Sequence, residues 1–206
     1  MENNNEKKEE KQSFIAEARR EQITEAAIRT LDKIGYVKAS LSQIAKRAGI
    51  STALISYHFS DKNDLMNHVL MKLLERSTSY ILERVRRESS VEKKLETFIA
   101  ASLAYQGTHY AHNTALIEIV FHARTAENMP YYKLNEEKED LLLLELQLIL
   151  LEGQEQGVFG EFHVGVMSNT IQGAIGEYMF TTAATKKIDL ETYSRELVNI
   201  VRKATK

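Results

Sequence analysis

The 206-residue chain has no cysteine and a single proline. Without cysteine there can be no disulfide, no thiolate zinc site and no thiol nucleophile, which fits a reducing, cytoplasmic setting. One proline and nine glycines leave few points where helices must stop. That favours long helices over a many-turned β-sandwich, as does the abundance of Leu, Ala, Glu and Lys. No apolar run approaches the ~20 residues of a membrane span, so no membrane partner is expected. The longest, Leu141–Leu151, has nine apolar residues in eleven and reads as a helix buried on nearly every side. Surplus positive charge is also missing, with 27 Lys and Arg against 29 Asp and Glu. Taken alone, that balance argues against a nucleic-acid binder. HExxH, GxSxG, P-loop and GxGxxG patterns are absent too, so neither catalysis nor a cofactor is expected.

What is present is helical periodicity. Residues 1–12 hold seven charged side chains and no apolar one after Met1, and are expected to form a disordered arm. Ile23, Ala27, Leu31 and Ile34 then share one face of a first helix, over about 14–34, which Gly35 is placed to end. Ser40-Leu41-Ser42-Gln43 has the form of a capping box opening a short second helix. Gly49 breaks that helix, and Ser51 caps a third over 52–58. Further helices are expected over 62–87, from 89 through 103, and over 108–123, 130–153, 164–184 and 190–204. The fold class is therefore all-α with about nine helices.

Two short helices with a glycine at the bend make a helix-turn-helix. Ala45 is small where the third helix crosses, and Ile44, Ala48, Ile50 and Ile55 hold the pair at a fixed angle. The run Ile44-Ala45, Ala48-Gly49-Ile50-Ser51, Tyr57-His58-Phe59, then Lys62 and Leu65, resembles the TetR family of bacterial transcriptional regulators. Ile23, Ala26-Ala27 and Gly35-Tyr36 extend the likeness upstream.

The resemblance implies a DNA-binding head over 13–62, with its motif at about 40–59, and an effector-binding and dimerisation body over 63–206. It implies a cytoplasmic homodimer paired through its last two helices, a palindromic double-stranded operator, and a small-molecule effector. Lys62 is similar to a family lysine that meets a phosphate beside a helix N-terminus. Tyr57 and His58 match backbone-contact positions, and Thr52 and Ala53 lead the recognition helix. Ser56 departs from the tyrosine many members carry there.

The expected DNA-facing set is Ser40, Ser42, Gln43, Lys46, Ser51, Thr52, Ala53, Ser56, Tyr57, His58 and Lys62, with Arg47 as an alternative to Lys46 at the rim. The third helix holds no Arg or Lys, so the bidentate basic contact to guanine is unavailable from it. Thymine methyls, a Gln43–adenine pair and DNA shape are left to carry specificity. The charge objection also weakens when charge is divided by region. Residues 13–62 carry eight basic and five acidic side chains, whereas residues 95–161 carry three and eleven.

In the body, Glu118 stands in an apolar setting, with Tyr105, Tyr110, Phe121, Tyr178 and Tyr131 or Tyr132 as nearby ring candidates. That set suits a lipophilic effector, a cationic one being one option; ordinary core packing is the alternative for each ring. His109 and His112, and Glu118 and His122, have facing helical spacings, but they do not form one stripe and no metal site is expected. The glycines at 165, 173 and 176 are expected to allow close helix approach. A helical small-molecule-binding enzyme and a sequence-tolerant architectural DNA-binder without an effector are the alternatives to a ligand-released repressor.

Overall fold

A computed structural model describes residues 2–125, 127–133, 140–180 and 188–206, with side chains from residue 13 onward. Among the described residues the fold is all-helical, with nine α-helices, one 3₁₀ turn and no strand beyond an isolated bridge between Arg124 and Pro130. In chain order the helices are α1 (Glu2–Lys38), α2 (Leu41–Ala48), α3 (Thr52–His58), α4 (Lys62–Val85), α5 (Val91–Thr108), α6 (Tyr110–His122), α7 (Leu141–Glu155), α8 (Val164–Phe180) and α9 (Leu190–Ala204). The 3₁₀ turn, Tyr131–Lys133, lies between α6 and α7. No described helix is long and apolar enough to cross a membrane.

Local chemistry sets the helix ends. Ser40, Ser51 and Ser90 each accept a hydrogen bond from the backbone N–H three residues on, satisfying donors that have no partner inside their helices. Asp189 does the same for α9. Asp140 opens α7 by accepting from the N–H groups of Leu142 and Leu143. That cap corrects the expected helix over 130–153. Pro130 instead bridges Arg124, its carbonyl accepts from Lys133, and residues 134–139 lie outside the described residues. Gly35 interrupts α1 with φ 74° and ψ 168°, a conformation open to glycine and costly for other residues.

The chain divides into two compact units, Met1–Leu73 with Thr114–Leu134, and Leu74–Asn113 with Asn135–Lys206. The division falls within α4 and within α6. The first unit is built on Ile23, Ala27, Ile28 and Leu31 of α1, Ile44 and Ala45 of α2, Ile55 of α3, Phe59, and Leu65, Met66 and Val69 of α4, all buried. In the second unit α5 packs against α7, α8 and α9. Its core includes Phe98, Ile99, Leu103, Leu146, Ile149, Ile171, Ile175 and Val201.

One packing expectation is corrected. The leucine-rich α7 is buried on one side only, through Leu146, Ile149 and Leu150. Leu141, Leu144, Leu148 and Leu151 are exposed at intervals of three and four, because within its unit α7 packs chiefly on α5 and α8. Close packing on glycine within the chain occurs at Gly153, against the Phe159 ring, and at Gly107, against Leu190. At Gly173 and Gly176 a Cβ would meet open space.

Candidate nucleic-acid interface

The bend between α2 and α3 is fixed by backbone geometry. Gly49 adopts φ 70° and ψ 31°, and the N–H of Ile50 reaches back to the Ala45 carbonyl at 3.0 Å. This left-handed cap closes α2 and aims the chain into Ser51, whose hydroxyl accepts from Leu54 N–H at 3.2 Å. Ile44, Ala45 and Ile55 are buried beneath the bend, so α3 is held by packing while its outer face stays clear.

Three further bonds brace these helices on α1. Gln22 donates to the Ala48 carbonyl at 2.7 Å, and Arg20 donates to the His58 carbonyl at 3.1 Å while lying over the Phe59 ring. Arg47 donates to Thr30 Oγ1 at 3.0 Å. Arg47 is thus tethered to α1 through Nε, and both Lys46 and Arg47 are exposed to solvent at the rim.

Of the eleven DNA-facing candidates, Ser40, Ser42, Gln43, Lys46, Ser51, Thr52, Ala53, Ser56 and Tyr57 are exposed, and His58 and Lys62 are partly buried. Tyr57 is 78% exposed, with its ring edge-on to His58 at 5.1 Å. Burial, with Arg20 and Arg19 nearby, holds the His58 imidazole below its ordinary value. The Lys62 ammonium donates to the Tyr36 carbonyl at 2.6 Å and sits 4.1 Å from the Tyr36 ring centroid, and burial lowers its proton affinity. An ammonium has three donors, so one bond to Tyr36 leaves two for a phosphate.

The same segment lacks something the composition hid. From Lys33 to Ser60 there is no carboxylate, although the chain holds 29. Lys33, Lys38, Lys46 and Arg47 fall inside that run. A positive surface without local acids suits polyanion approach, whatever the net charge of the whole chain.

Residues 23–69 match the family model described as bacterial regulatory proteins, tetR family. Over that head segment the chain is similar to the tetR family. Its first tetR-type relatives include the HTH-type transcriptional regulator BetI of Escherichia coli (strain K12 / DH10B), 30% identical over 86 residues. That match spans 41% of this chain and 44% of BetI, so less than half of the relative's length is covered.

Among solved structures, the fatty acid degradation regulator FadR from Bacillus halodurans has a TM-score of 0.74 at 24% identity, over 88% of this chain and 93% of that one. FadR from Bacillus subtilis, in complex with stearoyl-CoA, has a TM-score of 0.72 at 24% identity, over 87% and 96%. PfmR, a TetR family regulator from Thermus thermophilus, gives 0.73 at 19% identity, over 88% and 97%. These likenesses extend the tetR fold beyond the matched head residues. The family model and the named relatives are described as transcriptional regulators, and the head of this chain is what is similar to them.

Of the five effector-site candidates, Glu118 and Phe121 belong to the first unit and Tyr105, Tyr110 and Tyr178 to the second. Glu118 lies in the first unit, where its carboxylate accepts from Tyr36 N–H at 2.7 Å and stands 3.4 Å from His122 Nδ1. Phe121, in the same unit, is exposed and faces Tyr132 at 6.0 Å. Tyr105 and Tyr178 are buried in the second unit. Tyr105 stacks on His109 at 4.2 Å and contacts Tyr80 and His112, while Tyr178 lies 5.2 Å from Tyr193. Tyr110 is exposed.

A residue the sequence reading passed over, Gln106 of α5, is buried, and its Oε1 accepts no hydrogen bond among the described residues. A glutamine in the last turn of α5, after the apolar run 98–105, was its only advance signal. Among the described residues no group of three or more His, Cys, Asp or Glu could hold a metal ion.

Proposed function

We propose that this chain is a cytoplasmic, ligand-responsive repressor that binds a palindromic operator as a homodimer. The observation that carries the reading is the exposed, carboxylate-free face of α2 and α3, with Ser42, Gln43, Thr52, Ala53 and Tyr57 presented over a buried Ile44–Ala45–Ile55 support. Thr52 and Ala53 begin α3 and contact bases through thymine methyls, while Gln43 pairs with one adenine. Ser40, Ser51, Ser56, Tyr57, His58, Lys46 and Lys62 contact the sugar-phosphate backbone.

The homodimer is proposed to form through α8 and α9. Val166, Asn169, Thr170, Gly173, Glu177 and Phe180 share an exposed face of α8, and Ile200 of α9 is 62% exposed. On α9, Leu197 and Val201 are buried within their own chain, whereas Ile200 and Ala204 are exposed and can meet a mate. Open space at Gly173 and Gly176 gives a second copy room to approach.

The effector reading is narrowed. Glu118 lies in the first unit with its carboxylate on Tyr36 N–H, whereas the ring cluster that favours a lipophilic effector belongs to the second. The second unit offers a Tyr80, Tyr105, His109 and His112 ring cluster and the unpaired Gln106 acceptor. A lipophilic molecule bearing a hydrogen-bond donor satisfies both. The stearoyl-CoA bound by the similar Bacillus subtilis protein is a first probe of that kind.

The test is selection of bound sites from random duplex, repeated with stearoyl-CoA and with a panel of lipophilic cations. A palindromic site released by one of these compounds is the expected result. Uniform binding with no enriched site overturns the repressor reading and favours the architectural one.

A further inference from the structure

Tyr36 is held at both ends of its backbone. Its N–H donates to Glu118 Oε2 at 2.7 Å, and its carbonyl accepts from Lys62 Nζ at 2.6 Å. The ring between them stacks on His122, with centroids 6.3 Å apart and planes within 14°. Its hydroxyl stands 3.3 Å from Asn63 Oδ1. Gly35 is what lets the carboxylate in. Besides its positive φ, a Cβ at that position would lie 3.2 Å from Glu118 Oε2. The anion and the cation thus hold the two peptide groups that flank the Tyr36 Cα, each through a charge-assisted hydrogen bond.

We propose that Glu118 is a positioning residue for DNA binding: by anchoring Tyr36 it seats the Lys62 ammonium for its phosphate contact. The proposal rests on the operator-binding reading above. Glu118 itself touches no DNA. Its carboxylate anchors the Gly35–Tyr36 peptide on one side of the Tyr36 Cα, and this holds the residue whose carbonyl, in the next peptide, receives Lys62. With Tyr36 released, the flexible four-carbon stem of Lys62 has no single seat, and phosphate binding must bear the entropy of ordering it.

The sign of the effect separates this role from simple electrostatics. Deleting an acid from a DNA-binding chain ordinarily raises affinity, because a repulsion for phosphate is removed. Here Glu118→Ala is expected to lower affinity by roughly tenfold, the worth of a hydrogen bond to a charged group. The fall should be equal on the duplex selected by the wild-type chain and on random duplex, since phosphates carry no sequence information.

The experiment measures binding to both duplexes across a salt series for the wild-type chain, Glu118→Ala, Glu118→Gln, Lys62→Ala and the Glu118→Ala/Lys62→Ala double variant. Expected are a log–log salt slope reduced by about one in Glu118→Ala, and no further loss in the double variant relative to Lys62→Ala. Glu118→Gln keeps an acceptor for Tyr36 N–H and should keep the wild-type slope. Amide exchange at Tyr36 should be fast in Glu118→Ala and slow in the other single variants. Unchanged or raised affinity in Glu118→Ala overturns the proposal, as does additive loss in the double variant or a reduced slope in Glu118→Gln. If the wild-type chain itself selects no site, the operator reading fails first and independently.

Discussion

The Phe159 ring occupies the space a side chain at residue 153 would need: a Cβ built on Gly153 would fall inside the ring's contact distance. Gly153→Ala should therefore displace Phe159 from the core of the second unit. Overpacking of this kind costs about 1–3 kcal/mol. A lowered midpoint in denaturant at unchanged slope is the expected reading. Gly173→Ala, facing open space, should instead gain up to ~1 kcal/mol from helix propensity.

Gly173 also reports on assembly. Gly173→Leu should leave helicity intact, because no described atom lies within 4 Å of the added Cβ. If α8 pairs with its mate there, the larger side chain holds the copies apart. Sedimentation is expected to show a dimer for the natural chain and single chains for the variant.

Gln43 is exposed on α2, and its backbone N–H already caps the helix through Ser40 at 3.3 Å. Its side chain is not needed for that bond. Gln43→Ala should leave the fold and the salt slope alone and relax preference at one base position, by about 1–3 kcal/mol of discrimination. A selected-site profile identical to that of the natural chain would remove Gln43 from base reading.

His68 packs against Phe59 with ring centroids 5.3 Å apart. Burial first, then Arg20 and Lys72, hold its imidazole below the ordinary value of 6.5. Below pH 6.5 the unfolded chain then binds a proton that the folded chain refuses. Stability is full above that pH and is lost as pH falls through the lowered folded value. Thermal midpoints should drop on acidification from pH ~7 to ~5. His68→Gln should flatten that dependence, with the similarly shifted His58 supplying the remainder.

The head was largely legible in advance because its signals are local. Ser40, Gly49 and Ser51 act within four residues of themselves, and each does in the structure what its type and spacing predict. Gly35 likewise marks the end of the regular part of α1. The leucine run in α7 shows the opposite case. Eleven residues with nine apolar ones define a helix but not which sides of it meet neighbours, so the exposed stripe at 141, 144, 148 and 151 could not be foreseen. Glu118 is a related case. Its apolar sequence neighbours gave no sign of its partner, a backbone N–H 82 residues away.

The sequence by itself determined the absence of cysteine chemistry, the all-helical class, the two-helix motif with its glycine bend, and the poverty of that motif in Arg and Lys. These depend on composition and on periods of three to four residues, which the chain carries wherever it is placed. Only the tertiary structure decided that Arg47 turns to Thr30, that Lys62 rests on Tyr36, and that Glu118 serves the end of α1. A charged side chain takes whichever partner best offsets its loss of water. That partner is fixed by how distant helices pack.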